Sequence, residues 1–259
     1  TKAAPPLVPS GHEVAWWQFA LPTMQAPEPL TISGQVRLTD VDGTLTATTP
    51  DGKTASFDAT TGLLTSLMHA GDALLARPMT PHMWRAPVDN DKGSKMPSRQ
   101  GVWRDAGASW ACDRVESKVE AGTAIITATG RLAAVEAPYA ISYRVRPNGE
   151  VHVSAEMTEP GRKGTGELPR FGLRLGVDER LDRLAWFGPG PDESARDRDE
   201  LPVARWTSTV AEQHFDYSEP QETGTHVSTR WLTLTNANGA GLTVLADAEG
   251  CSIPDQALT

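Results

Sequence analysis

Residues 140–155, AISYRVRPNGEVHVSA, alternate apolar and polar side chains on either side of a turn. Ile141, Tyr143 and Val145 lead into Pro147-Asn148-Gly149, and Val151, Val153 and Ala155 follow it. Alternation of period two puts each apolar set on one face of a sheet, and Asn-Gly supplies the left-handed backbone of a tight hairpin. Turn and pattern together fix the register, because a slip of one residue would send every apolar side chain to the wrong face. Working outward, runs of similar length at 123–128, 171–177, 183–187 and 230–235 carry Val, Leu, Ile and Thr, and Asp42-Gly43, Asp51-Gly52 and Asn238-Gly239 mark further turns. No amphipathic helix of helical period alternates with these runs, which argues against a βαβ fold, a TIM barrel included. An all-β sandwich of antiparallel strands is the simplest architecture for about 230 such residues.

Composition agrees. Glycine (23) and proline (20) together make 43 of 259 residues, so turns are frequent and long helices have little room. Twenty-four basic against 33 acidic residues leave a net charge of -9, which disfavours a nucleic acid partner. No stretch approaches the run of about 18 apolar residues that a membrane helix requires. Cys112 and Cys251 are too few and too far apart for a disulfide framework or a zinc knuckle, and both read as buried thiols.

The first 30 residues stand apart. Residues 1–10 are proline-rich, whereas 14–21 alternate with a tryptophan on each face (Trp16, Trp17) and read as a strand. The prolines of 22–31 then break the chain, which divides it into 1–30 and 31–259. A start without Met or signal pattern, and a strand at 242–246 followed by a short tail, give the expectation of a fragment truncated at its C-terminus. Nothing in the sequence chooses between a cytoplasmic and a periplasmic address.

Polar groups are densest at 84–94, WRAPVDNDKGS, read as a loop. Asp89, Asn90 and Asp91 are suited to hydrogen-bonding sugar hydroxyls; they supply at most half of a calcium shell, so an Asx-rich turn is the better reading than a metal site. Asp40-Val41-Asp42-Gly43 lacks the later ligands of a calcium loop, and six scattered histidines give no zinc pattern. The alternating charges of 196–200 read as solvated surface. No nucleophile elbow or phosphate loop is present, and GPGP at 188–191 reads as a rigid turn without the amides that cradle phosphate. Glycoside hydrolysis needs two carboxylates across a bond, which spacing alone cannot select.

Four segments carry a resemblance. They are GHEVAWWQF at 11–19; TGL at 61–63 leading to PHMWRAPVDNDKG at 81–93; WFGPGPDE at 186–193; and PQETG at 220–224 with TRW at 229–231. In that order they resemble the C-terminal region of the large bacterial β-galactosidases of glycoside hydrolase family two. The resemblance implies that 1–30 is the last strand of a preceding immunoglobulin-like domain plus a linker. It implies that 31–259 is most of a galactose-mutarotase-like β supersandwich. It further implies a retaining parent enzyme acting on terminal β-D-galactosides, with both catalytic glutamates on a TIM barrel outside this chain and none within it. The rest of the parent polypeptide, that barrel above all, and the galactoside are the implied partners, and the parent is expected to be a homo-oligomer. The Mg²⁺ and Na⁺ typical of the family are expected outside this region, leaving no metal or cofactor here.

By the same resemblance Arg85, Asp89, Asn90, Asp91 and Gly93 form a mobile loop near the substrate, and Glu193, Glu222 and Arg230 make sugar or structural contacts. An aromatic platform of the family falls past Thr259. The chain departs from the family at Ser194 and Ala195, which stand for Asn-Tyr while Glu193, Asp197 and Arg198 are kept, and at Thr223, which stands for Asn. Two other readings remain open. An independent aldose epimerase would need an acid and a base, drawn from His82 or His214 with Glu193 or Glu222. A carbohydrate-binding module would need exposed rings, for which Trp103 and Trp110 are the candidates against a core role.

Overall fold

In the computed structural model, residues 9, 11–19, 33–198 and 200–246 are described. Their strands are antiparallel and mostly joined by short turns, as the dipeptides indicate. β1 (Arg37–Val41), β2 (Thr44–Thr48), β3 (Thr54–Asp58), β4 (Leu64–His69) and β5 (Asp72–Ala73) form a meander in chain order. Asp42 and Gly43 both adopt positive φ (48° and 78°), the backbone a two-residue hairpin demands. A second meander has the order β10-β9-β8-β7, from β7 (Trp110–Glu120), β8 (Thr123–Leu132), β9 (Ala137–Val145) and β10 (Val151–Met157). Its last hairpin pairs Val145 with Val151, Tyr143 with Val153 and Ile141 with Ala155, the register that alternation predicts.

The two meanders enclose the main core. Leu45, Ala47, Ala55 and Phe57 from the first face Ile126, Ala128, Ile141 and Tyr143 from the second, and the Phe57 and Tyr143 rings lie 4.9 Å apart. Gly62, in the turn between β3 and β4, has φ +68°, and a Cβ there would stand 2.3 Å from the Ala128 Cβ. Backbone handedness and the closeness of the layers both require glycine at this point.

β6 (Leu75–His82) pairs with β11 (Gly172–Val177) as a ribbon beside this sandwich. A separate sheet has the order β13-β12-β14-β15, from β12 (Arg183–Pro189), β13 (Val203–Thr209), β14 (Trp231–Thr235) and β15 (Gly241–Leu245). It builds a small core of its own, in which Leu184, Trp186 and Leu232 pack with Trp206, Leu234 and Val244. Strand thus dominates and the fold is an all-β, sandwich-like one. Among the described residues helix is confined to α1 (Asp89–Gly93), α2 (Met96–Arg99) and single 3-10 turns. No helix among the described residues is long and apolar enough to cross a membrane.

Three expectations need correction. Residues 11–19 carry no strand and Val14, Trp16, Trp17 and Phe19 are exposed, while Ala20 and Leu21 lie outside the described residues. Among the described residues alternation there finds no neighbouring strand to satisfy its backbone, and a lone strand is not stable in water. The segment hydrogen-bonds the sheet through Gln18, whose side-chain amide donates to Val203 O (2.7 Å) and whose side-chain oxygen accepts from Val203 N (2.8 Å). Residues 89–93, read as loop, form α1. Cys112 is only half-buried, its thiol donating to Arg114 O (3.4 Å) beside a bulge in β7, where alternation is interrupted; Cys251 lies outside the described residues.

Candidate functional site

β6 ends at His82, and buried Met83 anchors the chain as it leaves the sheet. Trp84 is covered by the Arg104 guanidinium, 5.1 Å from its ring centroid. Arg85 then grips Asp91 with both ends of its fork, Nη1 to Oδ2 at 2.5 Å and Nη2 to Oδ1 at 2.8 Å. Asp91 also accepts from Val88 N (2.9 Å), and so caps the first turn of α1. Three donors occupy its carboxylate. Asp91 and Arg85 are therefore a brace that shapes the segment, whereas Asp89 and Asn90 are exposed. Among the described residues the Asn90 side chain has no hydrogen-bond partner, and its carboxamide is free to donate and accept together.

Gly93 closes α1 without a positive φ, and a Cβ there would meet nothing within 4 Å. The static structure does not require glycine. Gly93→Ala is expected to leave stability unchanged to within about 1 kcal/mol, the usual Gly-to-Ala span in helices, as urea unfolding will show.

The residue before Gly93, Lys92, reaches across the molecule. Its Nζ donates to Glu219 Oε2 (3.0 Å) and, more weakly, to Asp89 Oδ1 (3.4 Å). The Glu219 contact raises the lysine above its ordinary pKa. Three residues on, Glu222 pairs with Arg170, which enters β11. Here both side chains are withdrawn from water, 12% and 8% exposed. Thr225 Oγ1 donates to Glu222 Oε1 (3.0 Å), while Oε2 is buried with no partner among the described residues. His82 lies in the same field. Burial, then the Arg170 and Arg174 charges, lower its pKa against the opposing pull of Glu222. The stretch 219–222 thus ties the later part of the chain to α1 through Lys92 and to the start of β11 through Arg170.

Glu193 is equally committed. Oε1 accepts from the Tyr217 hydroxyl and from Arg198 Nη2 (2.5 Å), and Oε2 from Gly224 N (2.8 Å). Burial pushes its carboxyl up, but the Tyr217, Arg198 and Gly224 donors outweigh burial and hold it below the usual range. Next to it Ser194 is buried and its hydroxyl accepts from Val227 N (3.0 Å), so serine in place of the family's asparagine is read as a backbone tie. Thr223 likewise ties Phe215 N to its Oγ1 (2.8 Å). His226, fully buried, lies 4.4 Å from the Trp186 ring and hydrogen-bonds Gln213 Oε1 through Nε2 (2.6 Å).

Burial lowers the His226 pKa from its ordinary 6.5, more strongly than the Glu193 charge and the Pro189 carbonyl raise it. Folding therefore keeps this ring neutral, and the stabilisation is complete above the ordinary value. As pH falls through about 6.5 the unfolded chain takes up a proton that the folded chain refuses, and stability declines until the lower, folded pKa is passed. His82 adds to the same slope. Urea midpoints are expected to fall between about pH 7 and 5 in the native chain and to fall less steeply in His226→Asn.

Of the predicted residues, Arg85, Asp89, Asn90, Asp91 and Gly93 come together on one segment, and Glu222 stands at its clasp through Glu219. Arg230 lies elsewhere, 5.5 Å from the Phe187 ring centroid on the outer sheet. His214 is exposed. Trp103 is buried with Nε1 donating to Thr165 O (3.0 Å), and half-buried Trp110 donates to Thr61 O (2.9 Å), so both serve the core. Sequence reading missed Arg170, Glu219 and Tyr217, whose partners lie 24 to 127 residues away and leave no spacing signal. Among the described residues no group of three or more His, Cys, Asp or Glu could hold a metal ion.

These features define an all-β, sandwich-like region whose polar segment, α1 and its flanks, is braced within and clasped from the far half of the chain. A sequence profile of the beta galactosidase small chain family matches residues 49–253, and the chain belongs to that family. It is 29% identical over 236 residues to a beta-galactosidase of Priestia megaterium, covering 91% of this chain and 23% of that protein. Against a beta-galactosidase of Halalkalibacterium halodurans it is 27% identical over 242 residues, covering 92% and 24%. Against one of Lactobacillus delbrueckii it is 30% identical over 199 residues, covering 73% and 20%. The chain spans about a quarter or less of the length of these relatives.

Proposed function

We propose that this chain is the C-terminal, non-catalytic portion of a retaining β-galactosidase that hydrolyses terminal β-D-galactosides. It supports the barrel that carries the catalytic glutamates and partly roofs their active site with residues 85–93. The observation that carries this reading is the braced segment. Arg85–Asp91 and Lys92–Glu219 hold it in shape while Asp89 and Asn90 stay exposed, which suits a polar roof over a sugar. The commitment of Glu193 to three donors, and of Glu222 to Arg170 and Thr225, supports a structural role for these two acids.

The test is made in the galactosidase that contains this chain. Asn90→Ala is expected to lower kcat/KM about tenfold, the equivalent of about 1.4 kcal/mol, with unchanged thermal unfolding. Unaltered kinetics would remove Asn90 from the roof. The proximity of His82 to Glu222 is the one observation that favours an aldose epimerase. Freshly dissolved α-galactose followed by NMR decides it, because accelerated anomer interconversion by this chain would replace the galactosidase reading with one of its own acid and base.

A further inference from the structure

In the sheet β13-β12-β14-β15 the even-numbered residues of β12 and β14 build the second core, so strand alternation turns the odd-numbered ones outward. Register arranges them in rows across the four strands. Arg205, Phe187, Trp231 and Leu245 form one row. Beside it Thr207, Ala185, Thr233 and Thr243 form another, one pleat further along. A row spans about 14 Å, three strand spacings, and neighbouring rows lie about 7 Å apart. Large side chains thus stand next to a floor of short ones, and the surface has a step with an aromatic wall and a hydroxyl-lined floor.

The wall is partly open to solvent, with Trp231 half-buried. Phe187 is 36% and Leu245 66% exposed. The Trp231 and Phe187 rings are stacked, with centroids 6.3 Å apart and planes 20° apart. Arg230 lies over Phe187, and Arg205 flanks it from β13. Charge is segregated here. The four strands contain no Asp or Glu in a chain with 33 acidic residues, yet Arg205, Arg230 and Arg183 lie on or at this face. Glu212, just past β13, is spent on Thr209 N (2.8 Å) and Ser208 Oγ (3.1 Å).

A covering apolar sheet does not suit this surface, because it would bury a floor of threonine hydroxyls without partners. A ligand rich in hydroxyls does, and guanidinium groups with no acidic partner among the described residues add a preference for negative charge. We infer that the step is a binding site for an acidic oligosaccharide, distinct from the segment at 85–93 and independent of the galactosidase reading. The apolar face of a sugar ring packs on Trp231, its hydroxyls exchange hydrogen bonds with Thr207 and Thr233, and its carboxylate or sulfate pairs with Arg205 or Arg230.

Native gels of this chain cast with polygalacturonate, a sulfated galactan or a neutral galactan provide the test. Retardation by an acidic polymer is expected, weakened by salt and absent with the neutral one; which acidic gel retards assigns the charge to carboxylate or to sulfate. Trp231→Ala is expected to weaken binding about tenfold, as a buried aromatic anchor does. Thr233→Val, which keeps the shape of the floor and the fold, should weaken it as well. Retardation by none of the gels, equal retardation by the neutral one, or retardation indifferent to both substitutions would overturn the site. So would self-association on gel filtration that Trp231→Ala abolishes, which would make a second copy of the chain the occupant.

Discussion

Arg170→Ala is expected to cost about 3–5 kcal/mol of folding stability, the range for stranding one partner of a buried ion pair. Glu222 would keep its place in an environment that leaves its side chain 8% exposed, with only the Thr225 hydroxyl on Oε1. Its other oxygen already lacks a partner among the described residues, so water has little access to repair the loss. The urea midpoint at neutral pH reads the effect. Replacing both residues, Arg170→Met with Glu222→Leu, removes the stranded charge and is expected to recover most of the stability. A single substitution within about 1 kcal/mol of the native chain would show that the pair is solvated.

Trp103→Ala should be comparably severe, about 3–5 kcal/mol, the range for deleting a large aromatic from a packed core. Trp103 is 1% exposed and its indole N–H is the donor to the carbonyl of buried Thr165, so truncation opens a cavity and leaves a polar atom unpaired. Trp103→Phe separates the two contributions. It keeps most of the packing and should cost about 1–3 kcal/mol for the stranded carbonyl. Thermal unfolding distinguishes this core role from a sugar-stacking one, in which the alanine variant would fold normally.

The strands and turns were legible because their causes are local. Alternation at 141–145 and 151–155 around Asn148-Gly149 states both the hairpin and its register, and the structure has that register. The helix α1 was not legible, since five residues are too few to show a helical period and its cap comes from Asp91 reaching back to Val88 N. The strand expected over 14–21 shows the converse limit, in that alternation states which faces would be apolar but supplies no neighbour to pair with. The candidate site was half legible. Arg85 to Gly93 stand on one unbroken polar segment, whereas Lys92 with Glu219 and Arg170 with Glu222 meet over 127 and 52 residues of intervening chain. Such pairs leave no mark on either partner's surroundings. Trp231 and Phe187 were named as part of matched strings, but their alignment in one row follows from strand order, which spacing does not encode.

Gln18 has a bearing on solubility. Hydrogen bonds from Gly190 N to Pro202 O and from Val210 N to Asp182 O set the phase of the β12–β13 ladder, so the amides of Val203, Arg205 and Thr207 point away from β12. Among the described strands β13 is the rim of its sheet, and an open rim is a template for another chain. The Gln18 carboxamide occupies both polar groups of Val203 as a strand would, yet offers no backbone of its own on which a further strand could grow. One side chain therefore shortens the adhesive length of the rim from its end, and protein trimmed past residue 18 carries a longer edge for chains to stack upon.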